Sequence, residues 1–146
     1  MQPIIFYDST ICKILTFGRY TAITLLMMIF FKRSKDKVKQ KHITHETIHV
    51  LQQLEMLCLG TVISVIASLI FGFVWWFVLI PILLFYVFYV LEYVIALPFN
   101  KLMNNDSYHT ISFEEEAYCN EDNIEYPDTR KLFAWVSYLG NVKRYK

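Results

Sequence analysis

The chain has 146 residues, of which 55% are hydrophobic and only 18% carry a charge at Asp, Glu, Lys or Arg. This length corresponds to a single domain, and the apolar balance is typical of a membrane protein rather than of a soluble enzyme. The net charge of +1 gives no case for nucleic-acid binding. Six basic residues lie in the stretch from Lys32 to Lys41. Such a cluster beside an apolar segment is typical of a topology signal and of contact with anionic lipid.

The N-terminal segment, residues 1–41, ends in this basic linker. Its apolar stretch from Thr21 to Phe31 is too short to cross a bilayer as a helix. Extended back to Ile14, it would form a marginal first transmembrane helix that carries Arg19. A short strand, a hairpin or an interfacial segment is the alternative, and the Thr, Ile and Phe content favours it slightly.

The longest apolar run extends from Met56 to Phe99, and Glu92 is its only formal charge. As a helix this run would be about 65 Å long, roughly twice the thickness of a hydrocarbon core. This run is too long for a single transmembrane helix, whereas two transmembrane helices joined by a tight turn would accommodate it. We therefore predict an active-site helix and transmembrane hairpin within residues 43–98.

Local signals predict where the helices of the hairpin begin and end. Thr44 is a candidate N-cap for the first helix, which continues to about Ile70. The Phe71-Gly72-Phe73 stretch is the predicted turn. The second helix runs from about Val74 until Pro98 ends it.

Residues 99–146 are predicted to form a cytoplasmic helical part. After a polar loop, Ser112 can cap a helix that continues to about Asn123, and Asp128 can cap a last helix to about Leu139. The predicted fold is an all-α membrane protein in one domain, residues 1–146. It carries a pair of helices at the cytoplasmic surface, with one short N-terminal strand or hairpin left open.

The most informative motif is the H-E-x-x-H stretch from His45 to His49. Residues four apart share one face of a helix, so both imidazoles can bind one metal ion. Glu46 can then reach a water on that metal and act as general base, the arrangement of zinc peptidases. We expect Zn²⁺ as the cofactor, with His45 and His49 as ligands.

A catalytic zinc site needs a third protein ligand, and the acidic run from Ser112 to Tyr118 supplies candidates. Its E-x-x-A pattern, after an H-E-x-x-H helix, resembles integral-membrane gluzincin peptidases. These include the CAAX prenyl proteases and the peptidase domains of β-lactam-sensing antirepressor receptors. The resemblance implies a zincin-like helix pair at the cytoplasmic surface and assigns the third ligand to Glu114, and Glu116 remains the alternative. Tyr118 replaces the Asp of that pattern, so the acidic partner of a zinc histidine must come from elsewhere.

The chain also resembles a group of short bacterial membrane proteins over roughly residues 20–140. The shared blocks correspond to His45–Glu55, Ser112–Glu121 and Arg130–Trp135. This resemblance implies a multi-pass protein of the bacterial cytoplasmic (inner) membrane with its site on the cytoplasmic side. The basic linker agrees with that orientation.

Five further polar residues are candidates for supporting roles. Gln52 and Glu92 would lie at similar depth in an antiparallel hairpin, and we expect Glu92 to orient His49 or a nearby polar group. Tyr108, His109 and Arg130 are candidates to stabilise an oxyanion. Each has an ordinary alternative as an interfacial, surface or packing residue.

Together these features predict a zinc-dependent endopeptidase that hydrolyses peptide bonds of membrane-proximal substrates. Its partners would be the lipid bilayer and a peptide or membrane-protein substrate. Because the chain has little material for a substrate groove, a homo-oligomer or a partner subunit would complete the cleft. The alternatives are a non-catalytic zinc-binding membrane interaction module and a metal-free membrane adaptor.

Overall fold

The computed structural model describes residues 3–17, 20–103 and 111–140. The described chain is mostly helical and also contains one small sheet. Its helices are α1 (Thr10–Leu15), α2 (Gln40–Phe71), α3 (Leu79–Met103), α4 (Ser112–Asn120) and α5 (Tyr126–Thr129), and its strands are β1 (Ile4–Phe6), β2 (Ala22–Leu25) and β3 (Met28–Phe31). Short 3₁₀ helices occur at Lys35–Lys37, Trp75–Val78 and Ala134–Tyr138.

The chain divides into two compact units. The first unit comprises residues 1–51 and 116–131, and the second comprises residues 52–115 and 132–146. The division falls within α2 and within α4, each of which is one continuous helix.

The three strands of the first unit correct the prediction of an all-α fold. They lie in the order β1-β3-β2, with β1 parallel and β2 antiparallel to β3. Leu26 and Met27 both adopt positive φ and close a tight hairpin between β2 and β3. The N-terminal strand or hairpin left open by the sequence is therefore present, and residues 22–31 do not form a helix. Ile29 and Phe31 pack with Val50 of α2 in the core of this unit.

Helix α2 begins four residues earlier than Thr44, so the prediction of Thr44 as N-cap is wrong. The Thr44 hydroxyl donates instead to the carbonyl of Gln40, one turn back, at 3.2 Å, and the side chain is buried. Threonine can make this bond inside a helix, where it does not cap the terminus. The 32 residues of α2 span about 48 Å.

In the second unit, α2 ends at Phe71 and the chain turns at Gly72, whose φ of +79° favours glycine. Helix α3 then packs closely on α2. A Cβ added at Gly60 would lie 2.6 Å from Pro81 Cα, and Ser64 Oγ donates to the carbonyl of Phe77 at 2.7 Å. Pro81 lies in the first turn of α3, where its missing N–H has no helical partner. The prediction that Pro98 ends this helix is wrong, because α3 continues to Met103.

An aromatic core organises the C-terminal part of the second unit. The ring of Phe113 packs against Phe85 and Trp135, with centroids 4.8 and 4.7 Å apart. The predicted helix from Asp128 to Leu139 is not formed. The chain leaves the helical region at Arg130, and Phe133, with φ of +54°, donates its backbone N–H to Glu55 Oε1 at 2.9 Å.

Candidate metal centre

His45 and His49 lie one turn apart on α2 and bring their rings together. Their Nε2 atoms are 3.2 Å apart, and the two rings meet edge to face. Both residues are buried, with 8% and 7% of their surface exposed. Two imidazole nitrogens converging in a buried site are a ready pair of ligands for one metal ion.

Glu114 of α4 supplies a third donor. One ligand atom each from His45, His49 and Glu114 lie within 4.8 Å of one another. Tetrahedral neighbours on a zinc ion, with Zn–N about 2.05 Å, are separated by about 3.3 Å, close to the observed Nε2 spacing. Two imidazoles and a carboxylate are also a donor set that catalytic zinc sites use. This group could therefore hold a metal ion, and the residues present fit zinc.

Glu121 holds the far side of the His45 ring. Its Oε2 lies 3.2 Å from His45 Nδ1, and its Oε1 accepts a hydrogen bond from Lys41 Nζ at 2.8 Å. With the proton on Nδ1, directed to the carboxylate, His45 Nε2 is left with a lone pair to donate. Tyr118, where the peptidase pattern has Asp, places its ring against His45 with centroids 4.6 Å apart. The acidic partner that the sequence lacks at position 118 is thus available from Glu121.

Glu114 is held by the long helix α3. The Tyr89 hydroxyl donates to Glu114 Oε1 at 2.8 Å, and Glu114 itself is 2% exposed. Gln52 of α2 donates to the backbone carbonyl of Phe113 at 3.0 Å. These two contacts fix the first turn of α4, the turn that carries the candidate ligand.

Glu92 caps α4 and does not reach His49. Its Oε1 accepts the backbone N–H of Ser112 at 2.9 Å, and its Oε2 accepts the Ser112 hydroxyl at 2.8 Å. The carboxylate thus lies at the helix N-terminus, where the helix dipole favours negative charge. These contacts of Glu92 thus lie at the start of α4, and its role in orienting the metal site stays a prediction.

Glu46, the predicted general base, is tied to the sheet. The Thr24 hydroxyl of β2 donates to Glu46 Oε2 at 2.6 Å and lies 3.3 Å from the backbone carbonyl of the same residue. Glu46 is only half-buried, in contrast to the two histidines that flank it. A short hydrogen bond of this kind restricts the rotamers of the carboxylate.

Glu116 and Arg130, two other candidates, bind each other. Arg130 Nε donates to Glu116 Oε1 at 2.8 Å and its Nη2 donates to Oε2 at 3.2 Å. Tyr126 adds a hydrogen bond to Oε1 at 3.1 Å. Both side chains are buried, and the pair ties the end of α5 to the middle of α4. Glu116 does not belong to the three-donor group found among the described residues.

The two remaining candidates, Tyr108 and His109, lie outside the described residues. Cys12 is buried in the first unit, and desolvation raises the pKa of its thiol, so it stays protonated.

Three residues in this region were not found by sequence reasoning. The sequence did offer a signal for Glu121, because this residue follows Glu114 by seven positions, the length of two helical turns. Tyr89 had a weaker one, three residues before Glu92 on the same helix. Thr24 had none, because its partner is 22 residues away and belongs to a different element.

No protein-family model matches this chain, and no curated protein or solved structure matches it either. The likeness to membrane gluzincin peptidases therefore depends on the two motifs, and the functional proposal depends on the geometry of the donor group.

Proposed function

We propose that this protein is a zinc-dependent endopeptidase of the bacterial cytoplasmic membrane, similar to the gluzincins. The gathering of His45, His49 and Glu114 within 4.8 Å is the observation that carries the proposal. These residues are the ones that the H-E-x-x-H and E-x-x-A patterns designate. A purely structural zinc site does not require a base next to its ligands, whereas in the sequence of this chain Glu46 directly follows His45.

Two long apolar helices support the membrane location. Gln40–Phe71 and Trp75–Leu97 are long and apolar enough to cross a bilayer, and most of their apolar windows are exposed. In water, apolar surfaces of this size would promote aggregation. Trp75 and Trp76 are exposed at the turn between the helices, where an aromatic belt would lie at the far membrane interface. By the positive-inside rule, the basic linker supports a cytoplasmic location for the opposite end.

The mechanism follows from what each side chain can do. His45, His49 and Glu114 would hold the ion, which supplies Lewis acidity and lowers the pKa of water towards about 7. Glu46 takes a proton from the attacking water and returns it to the leaving amine. Thr24 keeps the Glu46 carboxylate in one rotamer, and Glu121 keeps His45 in the tautomer whose Nε2 can donate. The products are a carboxylate and an amine.

Metal content and hydrolysis together test the proposal. We expect about one zinc per chain in the wild type and in Glu46→Gln, and a large loss of zinc in His45→Ala and Glu114→Gln. Matched controls are His42→Ala, one turn before His45, and the exposed Glu125→Gln, which removes the same charge as Glu114→Gln. Both controls should keep the metal.

Hydrolysis is measured in proteoliposomes on a tagged single-pass protein with one apolar helix and a flexible cytoplasmic flank. Glu46→Gln should lower the cleavage rate by about 10³-fold while zinc remains bound. Equal rates in wild type and Glu46→Gln would contradict the peptidase assignment. Stoichiometric zinc with no hydrolysis in either protein would favour a non-catalytic zinc-binding module instead.

A further inference from the structure

The contacts that hold Glu114 lie within a candidate membrane span. Tyr89, which donates to Glu114, and Glu92, which caps α4 at Ser112, both belong to the span Trp75–Leu97. Tyr89 precedes the end of that span by eight residues, a rise of about 12 Å along the helix. Glu92 precedes it by five residues, about 7.5 Å. The third ligand is thus attached to α3 well below the end of the apolar stretch.

The surface of α3 remains apolar on both sides of these contacts. Val87 is exposed before Tyr89, and the exposed residues beyond it include Val90, Leu91, Val94 and Ile95, which are 53–64% exposed. Leu97 is exposed as well. Apolar residues facing outward at this height are what a helix presents to lipid acyl chains. At the level where α3 holds Glu114, its opposite side therefore has the character of a lipid-facing surface.

The polar groups at the start of α4 are enclosed by protein, as polar groups at hydrocarbon depth must be. Ser112, Glu114 and Glu115 are each at most 2% exposed, although all three are polar. Both oxygens of Glu92 are engaged by Ser112, and Glu114 accepts from Tyr89. Polar groups within a bilayer are tolerated where they face protein and find hydrogen-bond partners. A ligand turn that stood in bulk water would need no such enclosure.

We infer that the metal centre lies below the membrane surface and that its substrate is a membrane-spanning segment, cut within about three turns of the cytoplasmic end of that segment. The inference depends on the proposed function and adds the class of substrate to it. Water adds to the peptide carbonyl, the C–N bond breaks, and Glu46 carries the proton to the new amine. A carbonyl inside an intact helix is hydrogen-bonded four residues ahead and shielded. Substrates therefore unwind at the cut, and Gly or Asn near it speeds cleavage.

Depth is measured without reference to activity. Single cysteines at Val90, Val94 and Leu97 carry nitroxide labels in a background of Cys12→Ala, Cys58→Ser and Cys119→Ser. An exposed position outside the spans, Asp122, serves as the aqueous control. Labels are read in liposomes by collision with oxygen, which concentrates in lipid, and with a water-soluble nickel chelate. If a label at Val90 or Val94 lowers the zinc content, Val87 or Ile95 replaces it.

At Val90 and Val94 the label should collide more often with oxygen than with the nickel chelate. The two collision rates should be about equal at Leu97, and collision with the nickel chelate should dominate at Asp122. Nickel dominating at Val90 and Val94 would overturn the inference. Low collision with both reagents would overturn it too, because a second copy of the chain or another protein would then cover this face.

A matched pair of substrates tests the cleavage site. Both are single-pass proteins with the same Gly-Asn-Gly cassette, placed either two turns inside the apolar helix or ten residues outside it in the cytoplasmic flank. We expect cleavage of the inner cassette to be at least about tenfold faster, because only that cassette reaches the ligands. Preference for the outer cassette would overturn the inference and leave the peptidase proposal intact. Cleavage of neither by zinc-loaded protein would contradict the peptidase proposal, while the labels still decide the depth.

Discussion

The two halves of α2 invert the rule that soluble proteins follow. In its first half His45, Gln52, Gln53 and Glu55 are all buried. In its second half, Leu69 is 81% exposed and most neighbouring apolar residues face outward. Burying polar groups is favourable only where each finds a partner, and exposing so much apolar surface is favourable only outside water. One continuous helix therefore carries a buried polar half and an exposed apolar half.

The largest effect should come from breaking the buried polar region at Arg130. Arg130→Met leaves Glu116, which is completely buried, without its cation. We expect the free energy of unfolding in mixed micelles to fall by about 3–5 kcal/mol. The control is Lys131→Met on the exposed neighbouring residue, which should change it by less than about 0.5 kcal/mol.

The double variant Arg130→Met with Glu116→Gln tests the stated cause. Removing the unpaired charge should restore part of the lost stability. If the double variant is no more stable than Arg130→Met alone, the buried ion pair is not what holds α5 to the middle of α4.

The next effect concerns the metal and not the fold. Glu121→Gln removes the charged partner of His45 Nδ1 while keeping the size of the side chain. We expect zinc affinity, measured by competition with a chelator, to fall by about 10- to 100-fold. The control Asp122→Asn makes the same change of charge at the adjacent exposed residue. Equal affinity in both variants would mean that Glu121 serves Lys41 and does not orient His45.

A smaller effect tests the packing of the apolar half of α2 against α3. Gly60→Ala adds a Cβ that would lie 2.6 Å from the backbone of Pro81, so α2 and α3 must separate locally. We expect a loss of about 1–3 kcal/mol in the free energy of unfolding in detergent micelles. Val62→Ile adds one methylene at an exposed position of the same helix and should be neutral. A neutral Gly60→Ala would show that the helices do not pack at this distance.

The sequence predicted the elements whose signals are local. The apolar run and the turn at Gly72 lie within the segments that they shape, so the two long helices were foreseen. The start of α4 was foreseen at Ser112, although the Ser112 hydroxyl donates to Glu92 and does not cap the helix. The last helix was predicted wrongly because distant residues decide that segment. Arg130 forms an ion pair with Glu116, and the backbone N–H of Phe133 donates to Glu55, 78 residues earlier in the chain. Such tertiary hydrogen bonds override helical spacing and leave no periodic trace in the sequence.

The candidate site shows the same limit at the level of single residues. His45 and His49 could be named because metal ligands on a helix follow a fixed spacing. Glu114 could be named because the E-x-x-A pattern resembles that of membrane gluzincins. Their supporting residues could not, because Thr24 and Tyr89 contribute one hydroxyl each from elements with no fixed sequence relation to the motif. Glu92 was singled out for its charge in an apolar run, yet its partner is the start of α4.

X-ray absorption at the zinc edge of the purified, membrane-reconstituted protein tests the central claim most directly. We predict about one zinc per chain, with nitrogen and oxygen neighbours at about 2.0–2.1 Å, scattering from two imidazoles and no sulfur. In Glu114→Gln the bound zinc should fall sharply, whereas Glu125→Gln should give the wild-type spectrum. A protein without zinc, a spectrum with only one imidazole, or a sulfur neighbour at about 2.3 Å would contradict the account.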